Sequence, residues 1–217
     1  MSDRPGIHDL RSLYDGLRPR IDARIAEFRR VWSDASEEEL FAEMAFCLLT
    51  PQSHARRCWE AVVELRDGGL LLGGSPREIA DRLRAHGVRF HRTKAARLVM
   101  AREVVTSDGI RIRRHLERID PVDARAWLLR NIEGLGLKET SHFLRNIGRG
   151  LDLAILDRHI LRNLVRLGVI GNLPRTLTPR RYAAIEDLMG RFSSDVGIPM
   201  PALDLLLWYR ETGWIFK

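Results

Sequence analysis

Lysine is nearly missing from this chain. Of 36 basic side chains in 217 residues, 33 are Arg and three are Lys: Lys94, Lys138 and Lys217. Both side chains attract phosphate, but only an amine can shed its proton and attack carbon. Amine chemistry is therefore confined to three positions. A GC-rich coding sequence accounts for the scarcity and leaves the placement of the three open. Cysteine is scarce too, with only Cys47 and Cys58. Four thiolates for an iron–sulfur cluster or a structural zinc are excluded. Both cysteines fall in apolar helical patterns, which predicts buried free thiols. No apolar run approaches the roughly 18 residues of a membrane span. Met1–Pro5 has no apolar segment behind it, so no secretory leader is expected and the cytoplasm is the expected compartment.

A hydrophobic fraction of 45% with 30% charged residues suits a globular chain and is too apolar for disorder. The length fits one large domain or two small lobes. The formal charge of +7 suits a polyanionic partner, most simply nucleic acid.

Almost every segment reads as helix, and no alternating β pattern or internal repeat emerges. Ser36-Glu37-Glu38-Glu39 is a capping box ahead of Leu40, Phe41, Met44, Phe46, Leu48 and Leu49. Pro51 ends that helix. Ser53 is expected to cap a second helix carrying Trp59, Val62, Val63 and Leu65, stopped by Gly68-Gly69. Ser75-Pro76-Arg77-Glu78 is another box, with Pro at the first helical position. Further helices are expected over about 92–105, from Asp120-Pro121 to Ile132, from Lys138 to Gly148, and from Asp157, Thr178-Pro179 and Pro201 onward. The Arg-rich first 35 residues carry no motif.

The most informative segment is Ile132-Glu133-Gly134-Leu135-Gly136-Leu137-Lys138-Glu139. Two glycines build a tight turn between two helices, and glycine lets a backbone approach another molecule closely. The second helix opens with unpaired N–H groups, an anion site suited to a DNA phosphate. This is the pattern of a helix-hairpin-helix. Taken alone, Gly134 is equally a helix C-cap and Gly136 a turn residue. Lys138 tips the balance. A cation in a first helical turn is disfavoured by about 0.3–1 kcal/mol, and the same field lowers an amine's pKa. A free amine facing DNA can attack C1′ of deoxyribose. Asp157, 19 residues on, follows three apolar residues at a helix start. It is an ordinary N-cap or a carboxylate that steadies positive charge on a sugar. His159 is a phosphate donor or a half-buried helix residue. Trp208 lies on the Leu203/Leu207 spacing of core residues.

Together, Gly134 to Gly148 and Ile155-Leu156-Asp157-Arg158-His159-Ile160-Leu161-Arg162 resemble the helix-hairpin-helix DNA glycosylases, more narrowly the archaeal-type 8-oxoguanine DNA glycosylase/lyases. Leu49–Ser53, Arg89–Ala95 and Leu203–Lys217 match stretches of the same family, so the resemblance covers about 36–217. It implies an all-α fold of two helical lobes with the hairpin at a DNA-binding cleft. A central lobe over 33–150 would hold the hairpin at about 122–148, and a second lobe would combine 1–32 with 151–217, all in one unit of 1–217. The resemblance makes Lys138 the Schiff-base nucleophile and Asp157 the catalytic carboxylate. Gly134, Gly136 and His159 fall on DNA-phosphate contacts. Gln52 falls where a polar residue enters the gap left by a flipped nucleotide. Phe90 and Trp208 fall near the aromatic walls of the base pocket, Asp204 near its polar edge. Lys217 falls on the family's C-terminal Lys, which helps tell 8-oxoguanine from guanine, and its terminal carboxylate adds an acceptor.

The missing C-terminal cysteines fit this subfamily and argue against the endonuclease III branch. The implied partner is double-stranded DNA containing 8-oxoguanine, bound by a monomer at the nucleoid of a prokaryote, with no metal and no organic cofactor. A flipped base costs a few kcal/mol to extrude. Rival readings are a glycosylase for another lesion, a non-catalytic DNA-binding protein, and a metal-dependent hydrolase using Asp157, His159 and His142. No ligand spacing favours the last.

Overall fold

The computed structural model describes residues 6–106 and 111–217. Met1–Pro5, where no leader is expected, lies outside them. The described residues form twelve helices and no strand. The first, α1 (Ile7–Asp34), runs through the stretch that carries no motif. Its buried stripe is Leu10, Tyr14, Leu17, Ile21, Ile25 and Phe28, spaced three and four apart. Pro19 interrupts the pattern from the solvent face, where the carbonyl it orphans points outward.

The next helix, α2 (Glu37–Leu49), begins at the expected capping box. Glu39 N–H donates to Ser36 Oγ at 3.2 Å, and Ser36 N–H donates to Glu39 Oε2 at 2.7 Å. Every residue from Leu40 to Leu49 is buried, so α2 threads the middle of a core. The start of α3 (Ala55–Asp67) differs from expectation. His54 is the N-cap and makes no side-chain cap bond. Ser53 Oγ accepts instead from Arg89 N–H at 3.0 Å and Lys94 Nζ at 2.9 Å. Two donors from the start of α6 and the turn before it outcompete a local cap.

After α4 (Leu70–Gly73), α5 (Pro76–Ala85) opens on the Ser75/Glu78 box with Pro76 first. The chain continues through α6 (His91–Thr106), α7 (Ile112–Leu116) and α8 (Pro121–Asn131), whose N-cap Asp120 accepts from Val122 and Asp123 N–H. The last four are α9 (Leu137–Asn146), α10 (Arg158–Arg166), α11 (Pro179–Val196) and α12 (Met200–Thr212).

Buried apolar side chains form two clusters. One gathers residues between Leu40 and Leu153. The other joins α1 to residues between Ala154 and Leu207, bringing together segments far apart in sequence. Arg145 of α9 reaches from the first towards the second. Its guanidinium lies over the Phe28 ring at 4.6 Å and pairs with Asp204 of α12 at 3.6 Å. Cys47 and Cys58 are buried free thiols, and burial pushes Cys58 up to about 11.

Candidate active site

The turn between α8 and α9 is tight because Gly134 takes φ +95°, open only to glycine without strain. A Cβ there would also stand 2.6 Å from Arg97 Cδ. Gly136 is the N-cap of α9, and its N–H donates to Glu139 Oε2 at 3.2 Å. Lys138 follows in the first turn. Its Nζ pairs with Glu139 Oε1 at 3.0 Å, and its side chain keeps 24% exposure. Glu139 thus serves both the hairpin backbone and Lys138, a role the sequence reading missed. The Gly-x-x-Glu spacing was the available signal.

Asp157 caps α10 by accepting Ile160 N–H on Oδ1 at 2.8 Å. Its approach segment is held from α11. Tyr182 Oη donates to Ala154 O at 2.6 Å and accepts Leu156 N–H at 3.2 Å. Glu186 Oε1 accepts Ala154 N–H, and Glu186 also pairs with Arg125 of α8 at 2.6 Å. Tyr182 and Glu186 were invisible in sequence because they act on backbone about 30 residues away. No hydrogen bond or ion pair joins Asp157 to Lys138 among the described residues.

Trp208 and His159 meet edge to face at 5.2 Å, so two of the expected site residues, from α10 and α12, share one corner. Trp208 Nε1 is buried without a partner. His159 Nδ1 lies 3.5 Å from a Glu211 carboxylate oxygen without forming a hydrogen bond. Asp204 sits one turn earlier on α12, 7% exposed. Burial pushes its carboxyl up to about 6, against the pull of Arg145, and nearby Asp157 pushes the same way. Lys217 folds back to the other cluster. Its ammonium contacts Glu43 of α2 and sits 3.3 Å above the centre of Trp59. Burial lowers it, and Glu43 opposes that. The tail before it is fixed by Trp214 stacked on Phe216 and by Phe216 edge-on to Phe46.

His142, one turn past Lys138 on the same face of α9, is 8% exposed with neither ring nitrogen bonded. Burial first, then Arg145 and Lys138, hold it well below the usual imidazole range, while the Lys217 backbone pulls the other way. Burial lowers Lys94, and Lys138 acts in the same direction more weakly. Gln52 and Phe90 are both exposed and both at positive φ, +56° and +57°. Among the described residues no group of three His, Cys, Asp or Glu could hold a metal ion. No helix among the described residues is long and apolar enough to cross a membrane.

The family model for 8-oxoguanine DNA glycosylase matches residues 21–198. The chain belongs to that family. An 8-oxoguanine DNA glycosylase/AP lyase of Fusobacterium nucleatum is 42% identical, over 97% of each chain. Its namesake from Methanocaldococcus jannaschii is 40% identical over 93% of each. The 8-oxoguanine glycosylase/lyase of M. jannaschii, solved in complex with a 15mer DNA containing 8-oxoguanine, superposes with a TM-score of 0.88. That match covers 97% of this chain and 99% of the other at 36% identity. The Thermotoga maritima 8-oxoguanine DNA glycosylase gives the same TM-score at 33% identity, covering 97% and 98%. The family match begins inside α1, so only the second half of that helix lies within the matched range.

Proposed function

We propose that this chain is a bifunctional DNA glycosylase and abasic-site lyase that removes 8-oxoguanine from duplex DNA and nicks the strand. The observation that carries the reading is the hairpin, which sets a half-buried amine, Lys138, beside the backbone donors at the start of α9. The fold is shared with a relative solved on DNA containing 8-oxoguanine. On this reading Gly134, Gly136 and His159 hold phosphates. Gln52 enters the space left by the extruded nucleotide. Phe90 and Trp208 flank the base, Asp204 lies at its polar edge, and Lys217 tells 8-oxoguanine from guanine. The two apolar clusters are then two lobes, 33–150 and 1–32 with 151–217, of a single monomeric unit.

Lys138 Nζ, once deprotonated, attacks C1′. The bond from C1′ to the base breaks, and the base leaves with a proton. Cleavage of the C1′–O4′ bond gives an imine, with the proton passing to O4′. Loss of a C2′ proton and of the 3′ phosphate nicks the strand, and water then releases the enzyme. Asp157 stabilises positive charge at the sugar as the base departs. The scheme uses no metal and no organic cofactor. A DNA substrate would place the protein at the nucleoid, in the cytoplasm of a prokaryote.

A cleavage panel of duplexes bearing 8-oxoguanine, oxidised pyrimidines, mismatches or guanine tests the substrate. Nicking confined to 8-oxoguanine is expected. Preference for an oxidised pyrimidine, or nicking of none, overturns the assignment.

A further inference from the structure

Lys94 has no place in the scheme above, yet its ammonium is the most fully engaged of the three. It is 4% exposed and donates to Leu49 O at 2.7 Å, Pro51 O at 2.8 Å and Ser53 Oγ at 2.9 Å. Leu49 ends α2, so the cation sits at that helix's negative pole. Pro51 and Ser53 flank Gln52. From the other side, Ser53 Oγ accepts Arg89 N–H, immediately before Phe90. Lys94 itself stands in the first turn of α6, four residues after Phe90, and its N–H closes on Phe90 O at 3.0 Å.

Gln52 and Phe90 are the two non-glycine residues at positive φ among the described residues. Such a conformation is strained and persists only where its surroundings fix it. The surroundings of both are one network centred on Lys94 and Ser53. A compact ammonium can aim three donors at three oxygens around it, whereas the planar fork of Arg cannot. In a chain that otherwise uses Arg, this geometry calls for Lys.

We propose that Lys94 is a positioning residue that clips the Gln52 and Phe90 loops together, so that both side chains are presented to DNA as one rigid unit. The clip rests on the reading of Gln52 and Phe90 as DNA-engaging residues. It makes extrusion of the base, rather than chemistry at C1′, the step that depends on Lys94. Burial lowers the Lys94 ammonium to about 8, while its three oxygen partners favour the charged form.

The test compares Lys94→Met, the milder Ser53→Ala and the double variant Gln52→Ala/Phe90→Ala. Each is assayed on an 8-oxoguanine duplex and on a duplex with a preformed abasic site. A 2-aminopurine beside the lesion reports unstacking. Lys94→Met is expected to raise KM on the lesion duplex about tenfold and to abolish the fluorescence rise, with abasic-site nicking within twofold of wild type. Ser53→Ala should shift the same readouts in the same direction, by less. Equal loss on both substrates, or a normal fluorescence rise in both single variants, overturns the clip. A double variant that extrudes the base normally overturns the loop reading, and the clip with it. A crippled double variant beside normal Lys94→Met and Ser53→Ala overturns the clip alone.

Discussion

His142 carries two buried ring nitrogens, and neither makes a hydrogen bond of normal geometry. Its neutral form is favoured by burial and by the cations Arg145 and Lys138, against the Lys217 backbone. An imidazole held neutral in the fold costs stability in acid. As pH falls below the unfolded imidazole's value, about 6.5, the unfolded chain takes up a proton that the folded one refuses. Thermal unfolding of wild type should therefore fall away from that of His142→Phe as pH drops from about 6.5 towards 5. Parallel curves would remove the argument. Burial alone would also nominate Lys94 as the nucleophile, since an amine lowered by burial is suited to imine chemistry. The geometry reverses this, because every Lys94 donor already has a carbonyl or hydroxyl. The hairpin that carries Lys138 was legible in sequence because its signals are local. The role of Lys94 was not, because its partners lie more than 40 residues away.

Elements were legible where their signals were local as well. The boxes at Ser36 and Ser75 and the Asp120 and Thr178 caps all appear where expected. The long α1 was not read because Pro19 and a run of Arg mask a stripe that is otherwise regular. Ser53 failed as a cap because Arg89 and Lys94 claim its hydroxyl. Two consequences belong at this scale. Gly134→Ala must hold alanine at φ +95° and push it against Arg97. It should destabilise by about 1–3 kcal/mol and weaken duplex binding, read by denaturant unfolding and a binding titration. Binding and stability equal to wild type would contradict the hairpin geometry. Tyr182→Phe leaves Ala154 O without its donor and Leu156 N–H without its acceptor. A loss of about 1–3 kcal/mol per orphaned group is expected. Excision should fall more than DNA affinity, because the segment leading to Asp157 is what loosens. An unchanged excision rate in single-turnover assays would show that Tyr182 does not hold that segment.

Across the whole molecule, the resemblance implied two helical lobes, but nothing in the sequence marked the contact that joins the two apolar clusters. Arg145 and Asp204 come from α9 and α12, and neither spacing nor composition pairs them. Ionising Asp204 costs the fold, since its carboxyl lies near 6 in spite of Arg145. Between about pH 4 and 6 the folded chain keeps a proton that the unfolded chain has lost. Wild type should therefore lose stability relative to Asp204→Asn as pH rises through that window, by an amount on the order of 3 kcal/mol, and hold level above it. A difference that stays constant, or moves the other way, would mean that Arg145 outweighs burial. The central claim concerns one amine of three. Borohydride reduction of the enzyme on an 8-oxoguanine duplex, followed by peptide mapping, identifies which lysine bonds to the sugar. The account predicts a single adduct at Lys138 that Lys138→Gln abolishes. An adduct at Lys94 or Lys217, or one that survives in Lys138→Gln, would contradict it.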